Sequence, residues 1–201
     1  PLSRPLGWAL TGTPADCVRA GLQHLMPDCD MVISGINLGA NLGTDCNYSG
    51  TAAAAREAVM NGRAAMAVSC AIRPGEKWCF RDAVYLAEYA VKVMEQLAAH
   101  PLPRGVFLNL NLPNLMRGED FHPGAAPLGW FRCDRDFDVE DRGDEVIFRC
   151  RFGTIAHRQE GHSDIALMRE GRACMTAVSW DATHAASNAV AEEIAGRMTE
   201  K

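Results

Sequence analysis

The sequence predicts an α/β fold built on a mostly parallel sheet. Three observations carry that expectation. Over the first 112 residues the signals run helix, strand, glycine-rich loop, helix, strand, helix, strand. The apolar fraction is 48% and the charged fraction 22%, the profile of a soluble globular chain. A length of 201 residues suits one domain with a full hydrophobic core.

Each element has its own local reason. Thr13 reads as an N-cap, with Pro14 at the first helical position and Asp16 at the third, so a helix begins at 14 and stops before Pro27. Asp30 to Ser34 is a short apolar run, the length of a buried strand. The stretch 34–51, SGINLGANLGTDCNYSGT, follows as a loop. A helix from about Thr51 to Asn61 is closed by Gly62, and Ala64 to Cys70 is a second buried strand. Residues 80–99 place apolar side chains at 80, 83, 84, 87, 90, 91, 94 and 98, which predicts a helix with that face inward. Gly105 to Leu112 is a strand stopped by Pro113.

Beyond Pro113 the pattern changes. Residues 113–126 read as loop, and 129–153 as two strands around a turn at 141–144 whose acidic tip is exposed. A polar loop carries His157, His162 and Asp164. Arg172 to Val178 is one more strand and Ala182 to Met198 a terminal helix. The expected division is a Rossmann-like, three-layer core over 1–112 and a hairpin, strand and helix extension over 113–201. Trp8, Trp78, Trp130 and Trp180 have no stacking spacing and are expected to pack.

Charge and cysteine content exclude several classes. A net charge of −5 with no basic block argues against a nucleic-acid polymer as partner. No run approaches the ~18 apolar residues of a membrane span, and no signal peptide is visible. None of the eight cysteines is spaced C-x-x-C. Cys70 and Cys174 lie in apolar segments, so free thiols in a cytoplasmic protein are expected.

The loop at 34–51 is the chemical feature. Connections usually span about 4–6 residues, and this one is longer and rich in groups that bind. It follows the carboxyl end of a strand and ends at the amino end of a helix, where ligands bind in open α/β sheets. Ser49, Gly50 and Thr51 fall where free backbone N–H groups attract an anion, phosphate above all; Ser49 or Thr51 can equally be a simple cap. Glycines at 35, 39, 43 and 50 match neither a dinucleotide fingerprint nor a P-loop, and no lysine lies in the loop. Asn37, Asn41, Asp45 and Asn47 offer the hard oxygens that suit Mg²⁺, Mn²⁺ or Ca²⁺.

GTPADC at 12–17, VISGINLGANLGTD at 32–45 and YSGTAAAAREAV at 48–59 resemble the SurE family of survival proteins. The likeness continues through AAMAVS at 64–69, FLNLNLP at 107–113 and SDIALMREGRACMTAV at 163–178, and is weakest over 114–162. The resemblance implies a metal-dependent 5′(3′)-nucleotidase that removes phosphate from nucleoside monophosphates. It implies Asn37 as a ligand of Mg²⁺ or Mn²⁺, and Gly39, Asn41, Ser49, Gly50 and Thr51 as the lining of a phosphate pocket. It also implies a homodimer or homotetramer with the C-terminal part exchanged between subunits.

The family's other ligands are paired aspartates in an NDDG string and a serine in the next loop. Neither string occurs in this sequence, which matches the family pattern from roughly 60 residues in. Neutral asparagine alone holds a divalent ion poorly, so the 201 residues by themselves are expected to have little phosphatase activity. The catalytic acids are therefore unassigned here. Two further readings remain: a phosphate- or nucleotide-binding module without catalysis, and an oligomeric assembly protein. His157, His162, Asp164 and His184 could form a second metal site or an acid–base pair, but histidines scattered in loops are expected to face solvent.

Overall fold

The computed structural model describes residues 7–72, 80–114, 119–133, 137–150, 155–158 and 161–199. In chain order the helices are α1 (Pro14–Ala20), α2 (Gly50–Met60), α3 (Phe80–Ala99), α4 (Asp164–Arg169) and α5 (Ala185–Thr199). The strands are β1 (Met31–Leu38), β2 (Ala64–Ala71), β3 (Val106–Pro113), β4 (Gly124–Ala125), β5 (Phe131–Cys133), β6 (Phe137–Asp141), β7 (Val146–Cys150), β8 (Ile155–Arg158) and β9 (Cys174–Ser179). The expected α/β fold is present, with a mostly parallel core.

Five strands form the central sheet in the order β1-β2-β3-β9-β4. β1, β2 and β3 are parallel, β9 is antiparallel to β3, and β4 runs parallel to β9. So the stretch after Pro113, expected as loop, contributes a two-residue strand at Gly124–Ala125. β6 and β7 make the expected hairpin, with Asp141 opposite Val146. β5 pairs with β8 apart from both.

Period-two alternation along β2 sends side chains to both faces, and both are covered. Ala65 and Ala67 meet Ala52, Ala55, Ala58 and Val59 of α2, together with Phe107. Met66, Val68 and Cys70 face the other way and pack, with Leu110 and Leu112, against Leu86, Ala90, Val93 and Leu97 of α3. This burial is the main stabilising term of the core, at about 25 cal/mol per Å² of apolar surface.

The face of α3 differs from the expected one. Val84 and Val91 are 39% and 45% exposed, and Ala87 and Ala98 are also exposed, whereas Leu86, Ala90, Val93 and Leu97 are buried. The helix is apolar on two sides. The observed side carries two leucines and the rings of Tyr85 and Tyr89, which pack on Phe121 at 5.2 and 4.2 Å between centroids. It removes more apolar area from water than the alanine-rich alternative. Trp8, Trp130 and Trp180 are likewise not core residues, at 61%, 51% and 48% exposed; Trp78 lies outside the described residues.

α1 starts as its residues require. The Thr13 side chain accepts from the Asp16 N–H, and the Asp16 carboxylate accepts from the Thr13 N–H at 2.9 Å and hydroxyl at 2.7 Å. These bonds, the hydroxyl's first, hold the Asp16 carboxyl below the usual carboxylate range. Arg19 of α1 then reaches Glu57 of α2 at 3.0 Å.

Cys17, Cys29, Cys46, Cys70 and Cys174 are free thiols. Desolvation raises the Cys46 thiol and pushes that of Cys174 up to about 11. A thiol raised in the folded state contributes stability that is full below its ordinary range and is lost as pH rises through the raised value. Iodoacetamide at pH 8 should therefore label exposed Cys17 in the native protein and spare Cys46, Cys70 and Cys174 until the chain is unfolded. Peptide mass spectrometry checks this, and native labelling of Cys174 would contradict its burial.

Candidate functional site

The site begins inside β1. The strand was expected to end at Ser34 but continues to Leu38. Its register with β2 shifts between Ser34 and Asn37, and the Gly35–Ile36 peptide is cis. Gly35 has φ +129, and a Cβ there would run into the Val68 carbonyl, so the close approach of the two backbones requires glycine. Past this irregularity Asn37 lies opposite Ser69, and Ser69 opposite Asn111. Three polar residues thus line up across β1, β2 and β3 near the carboxyl ends of the parallel strands, the end of such sheets that binds ligands.

Asn37 is half-buried. Its Nδ2 donates to the Gly39 carbonyl at 2.8 Å, while the Gly39 N–H donates to the Cys70 carbonyl at 2.8 Å. The amide nitrogen is thereby committed to the chain, and Oδ1 is the atom of Asn37 suited to an external cation.

Asn41 is 9% exposed and is a hub. Its N–H donates to Asn111 Oδ1 at 2.8 Å, and its Nδ2 to Ser69 Oγ at 2.6 Å. Its carbonyl accepts from Asn109 Nδ2 at 2.9 Å and Asn111 Nδ2 at 3.1 Å. Sheet side chains therefore take the part of backbone partners for the main chain of Asn41. Asn109 Oδ1 is buried without a hydrogen-bond partner among the described residues.

Two residues on, Asp164 clamps the loop. This fully buried side chain accepts from the N–H groups of Gly43 and Gly129, each at 2.7 Å, and of Ile165 at 2.8 Å. Its own N–H donates to the Pro127 carbonyl at 2.9 Å. Gly43 has φ +48, and a Cβ would sit 2.6 Å from the Gly129 carbonyl oxygen. Ser163 caps α4 through its hydroxyl. The polar segment expected as loop thus enters the interior at Ser163 and Asp164, because three buried N–H donors need an acceptor.

At its far end the loop turns through a 3-10 segment, Gly43–Asn47, into α2. Ser49 is the N-cap: its hydroxyl accepts from the Ala52 N–H at 3.1 Å and its carbonyl from Ala53 at 2.9 Å. The N–H groups of Gly50 and Thr51 have no hydrogen-bond partner among the described residues, the ordinary state of a helix start and the ordinary means of binding an anion there. Gly50 also has a packing reason, since a Cβ would come within 3.2 Å of Pro14 Cγ in α1.

Asn37 is hydrogen-bonded to Gly39, Asn41 is tied separately to Ser69, Asn109 and Asn111 of the sheet, and Ser49, Gly50 and Thr51 stand at the other end of the loop. His162 and His184 are exposed, His184 contacting Ser187 Oγ at 2.7 Å, and His157 falls in β8. Among the described residues no three of His, Cys, Asp and Glu come together as a metal cluster. Asn37 fits one hard-oxygen position of a divalent ion; the Asp164 oxygens are engaged by the N–H groups of Gly43, Gly129 and Ile165. Asn109 and Asn111 were not expected at the site, and Asp164 was expected in a solvent-facing polar loop rather than buried beneath the glycines. The signals were a serine and an aspartate before the apolar run IALM, and two asparagines alternating with leucine in a buried strand.

The family described as Survival protein SurE matches residues 3–125. The chain is 36% identical over 180 residues to a 5′-nucleotidase SurE from Desulforamulus reducens, covering 88% of this chain and 68% of that protein. It is 43% identical over 186 residues to one from Carboxydothermus hydrogenoformans, covering 90% and 69%. The chain thus spans about two thirds of such relatives. The crystal structure of SurE from Aquifex aeolicus superposes with a TM-score of 0.71 at 26% identity, covering 88% of this chain and 70% of that one.

Replacing Asp164 by Asn puts an NH₂ group against a backbone N–H in a buried site. Asp164→Asn should lower the unfolding free energy by about 2–3 kcal/mol in urea titration, and speed hydrogen exchange at Gly43 and Gly129. Unchanged exchange at both glycines would remove the clamp from the account.

Proposed function

The chain belongs to the SurE family, and from that membership we propose that its protein hydrolyses nucleoside monophosphates, releasing phosphate from the 5′ or 3′ position with a divalent ion, Mg²⁺ or Mn²⁺. The observation that carries this reading is the alignment of Asn37, Ser69 and Asn111 at the carboxyl ends of β1–β3, beside a loop that ends at the free N–H groups of α2. Asn37 Oδ1 holds one coordination position. Among the described residues no cluster of three His, Cys, Asp or Glu side chains stands ready to complete that shell. The ion, when bound, supplies positive charge at the phosphoryl group and acidifies a water.

The chain's own part is binding and orientation. The N–H groups of Gly50 and Thr51, the Thr51 hydroxyl and the positive end of α2 receive phosphoryl oxygens. Gly39 turns the chain out of β1 at φ +121, and Asn41 fixes the loop on the sheet. These contacts hold the phosphate in one orientation.

We further propose a homodimer or homotetramer formed through residues after 113, in a cytoplasmic protein. β4 and β9 belong to the central sheet, so the oligomerising parts are the β6–β7 hairpin and α5. Phe137, Val139, Val146 and Phe148 on the hairpin, and Val190, Ile194 and Met198 on α5, are all about half exposed or more. A 15-residue helix whose side chains at 185–198 are all exposed is marginal alone, and a second copy supplies the missing contact. Among the described residues, no helix is long and apolar enough to cross a membrane.

Phosphate release from AMP should require Mn²⁺ or Mg²⁺ and stop in EDTA. Asn37→Ala should reduce metal-dependent turnover on the order of 10- to 100-fold, with unfolding midpoint retained. Thr51→Val should instead weaken inhibition by inorganic phosphate. Wild-type turnover in Asn37→Ala would overturn its role as ligand.

A further inference from the structure

The opposite end of the sheet borders a second cleft of about 470 Å³. It opens where β2 and β3 begin, at Ala64, Ala65 and Val106, and Val59, Met60, Leu97 and Leu102 supply its apolar wall. From Ala64 to Ser69 the strand advances roughly 16 Å, so this cleft is separate from the row of Asn37, Ser69 and Asn111.

Trp180, just after β9, forms one side. Its backbone N–H donates to the Gly105 carbonyl at 3.0 Å. The indole lies so close over Gly105 that a Cβ there would meet Cδ1 and Nε1 at 2.5 Å. Yet the residue is 48% exposed. The ring is therefore held against the backbone with part of its surface free.

Arg63 and Arg104 also line the cleft, and none of its lining residues is acidic. Arg63 is anchored by its Nη2, which donates to the Pro27 carbonyl at 2.6 Å. Arg104, which precedes Gly105 and lines the same cleft as the indole, is exposed and has no ion-pair partner among the described residues. A cationic pair without acids, in a chain of net charge −5, selects an anion locally. Guanidinium groups favour phosphate, an ordered indole beside an aliphatic wall favours a planar ring, and the volume is that of a small-molecule site.

We propose that this cleft binds a nucleoside monophosphate, its base against Trp180 and its phosphate at Arg104 and Arg63. The assignment does not require hydrolysis at the other end of the sheet, and it is tested with that chemistry switched off. AMP, adenosine and inorganic phosphate are titrated calorimetrically into the protein in EDTA. AMP should bind saturably and more tightly than either fragment. Arg104→Gln and Trp180→Leu, both at exposed positions, should each weaken AMP about tenfold with unchanged circular dichroism. Thr51→Val should leave the Arg104- and Trp180-dependent binding intact.

The proposal is overturned if AMP affinity is unaltered in both cleft variants, or if phosphate binds as tightly as AMP. Absence of AMP binding up to about 10 mM also overturns it. Loss of metal-dependent turnover with the EDTA binding intact counts only against the hydrolase reading.

Discussion

One buried carboxylate fixes the glycine-rich loop. Gly43 and Gly129 each present an N–H to the interior, and Asp164 accepts both along with that of Ile165. Unmatched, each donor would cost about 1–3 kcal/mol. Matched, they tie together three pieces of chain distant in sequence: the loop after β1, the segment after β4 and the start of α4. Cys46 is buried in the same turn. The path that leads from Asn37 to Ser49 is determined by that meeting point rather than by local preference.

The two faces of the sheet divide the work. On the α3 side Met66, Val68, Cys70, Leu110 and Leu112 make a wholly apolar layer. On the α2 side the apolar layer of Ala65, Ala67 and Phe107 gives way, toward the carboxyl ends, to Ser69, Asn109 and Asn111. Those three buried polar residues are satisfied chiefly by Asn41, so the sheet reaches the loop through side chains. Small residues on α2 bring the helix close to the strands, and its amino end comes with it.

Much of this was legible in residues alone. Thr13-Pro14-Ala15-Asp16 specified a capped helix because its hydrogen bonds are local. The β-α alternation followed from runs of apolar residues bounded by caps and prolines. What depended on distant contacts was hidden. The strand β1 outran its apolar run because Ser69 and Cys70 supplied partners for a polar sequence, SGIN. The face of α3 was set by Phe121, which lies after a break in the pattern. Asp164 could not be told from a solvated aspartate until Gly43 and Gly129 were beside it. Local chemistry names the ends of elements, whereas a buried polar side chain is explained only by partners far along the chain.

Asn109 carries a consequence for how this protein can change. Its Oδ1 is buried without a donor among the described residues, an unmatched buried acceptor costs about 1–3 kcal/mol, and its Nδ2 helps hold the Asn41 carbonyl. An apolar residue of similar volume would relieve the penalty and loosen the loop at once. Selection for heat resistance alone therefore pushes this position toward leucine, and selection for an ordered loop pushes it back. Variants recovered under thermal stress and variants recovered under demand for ligand binding should part company at this residue.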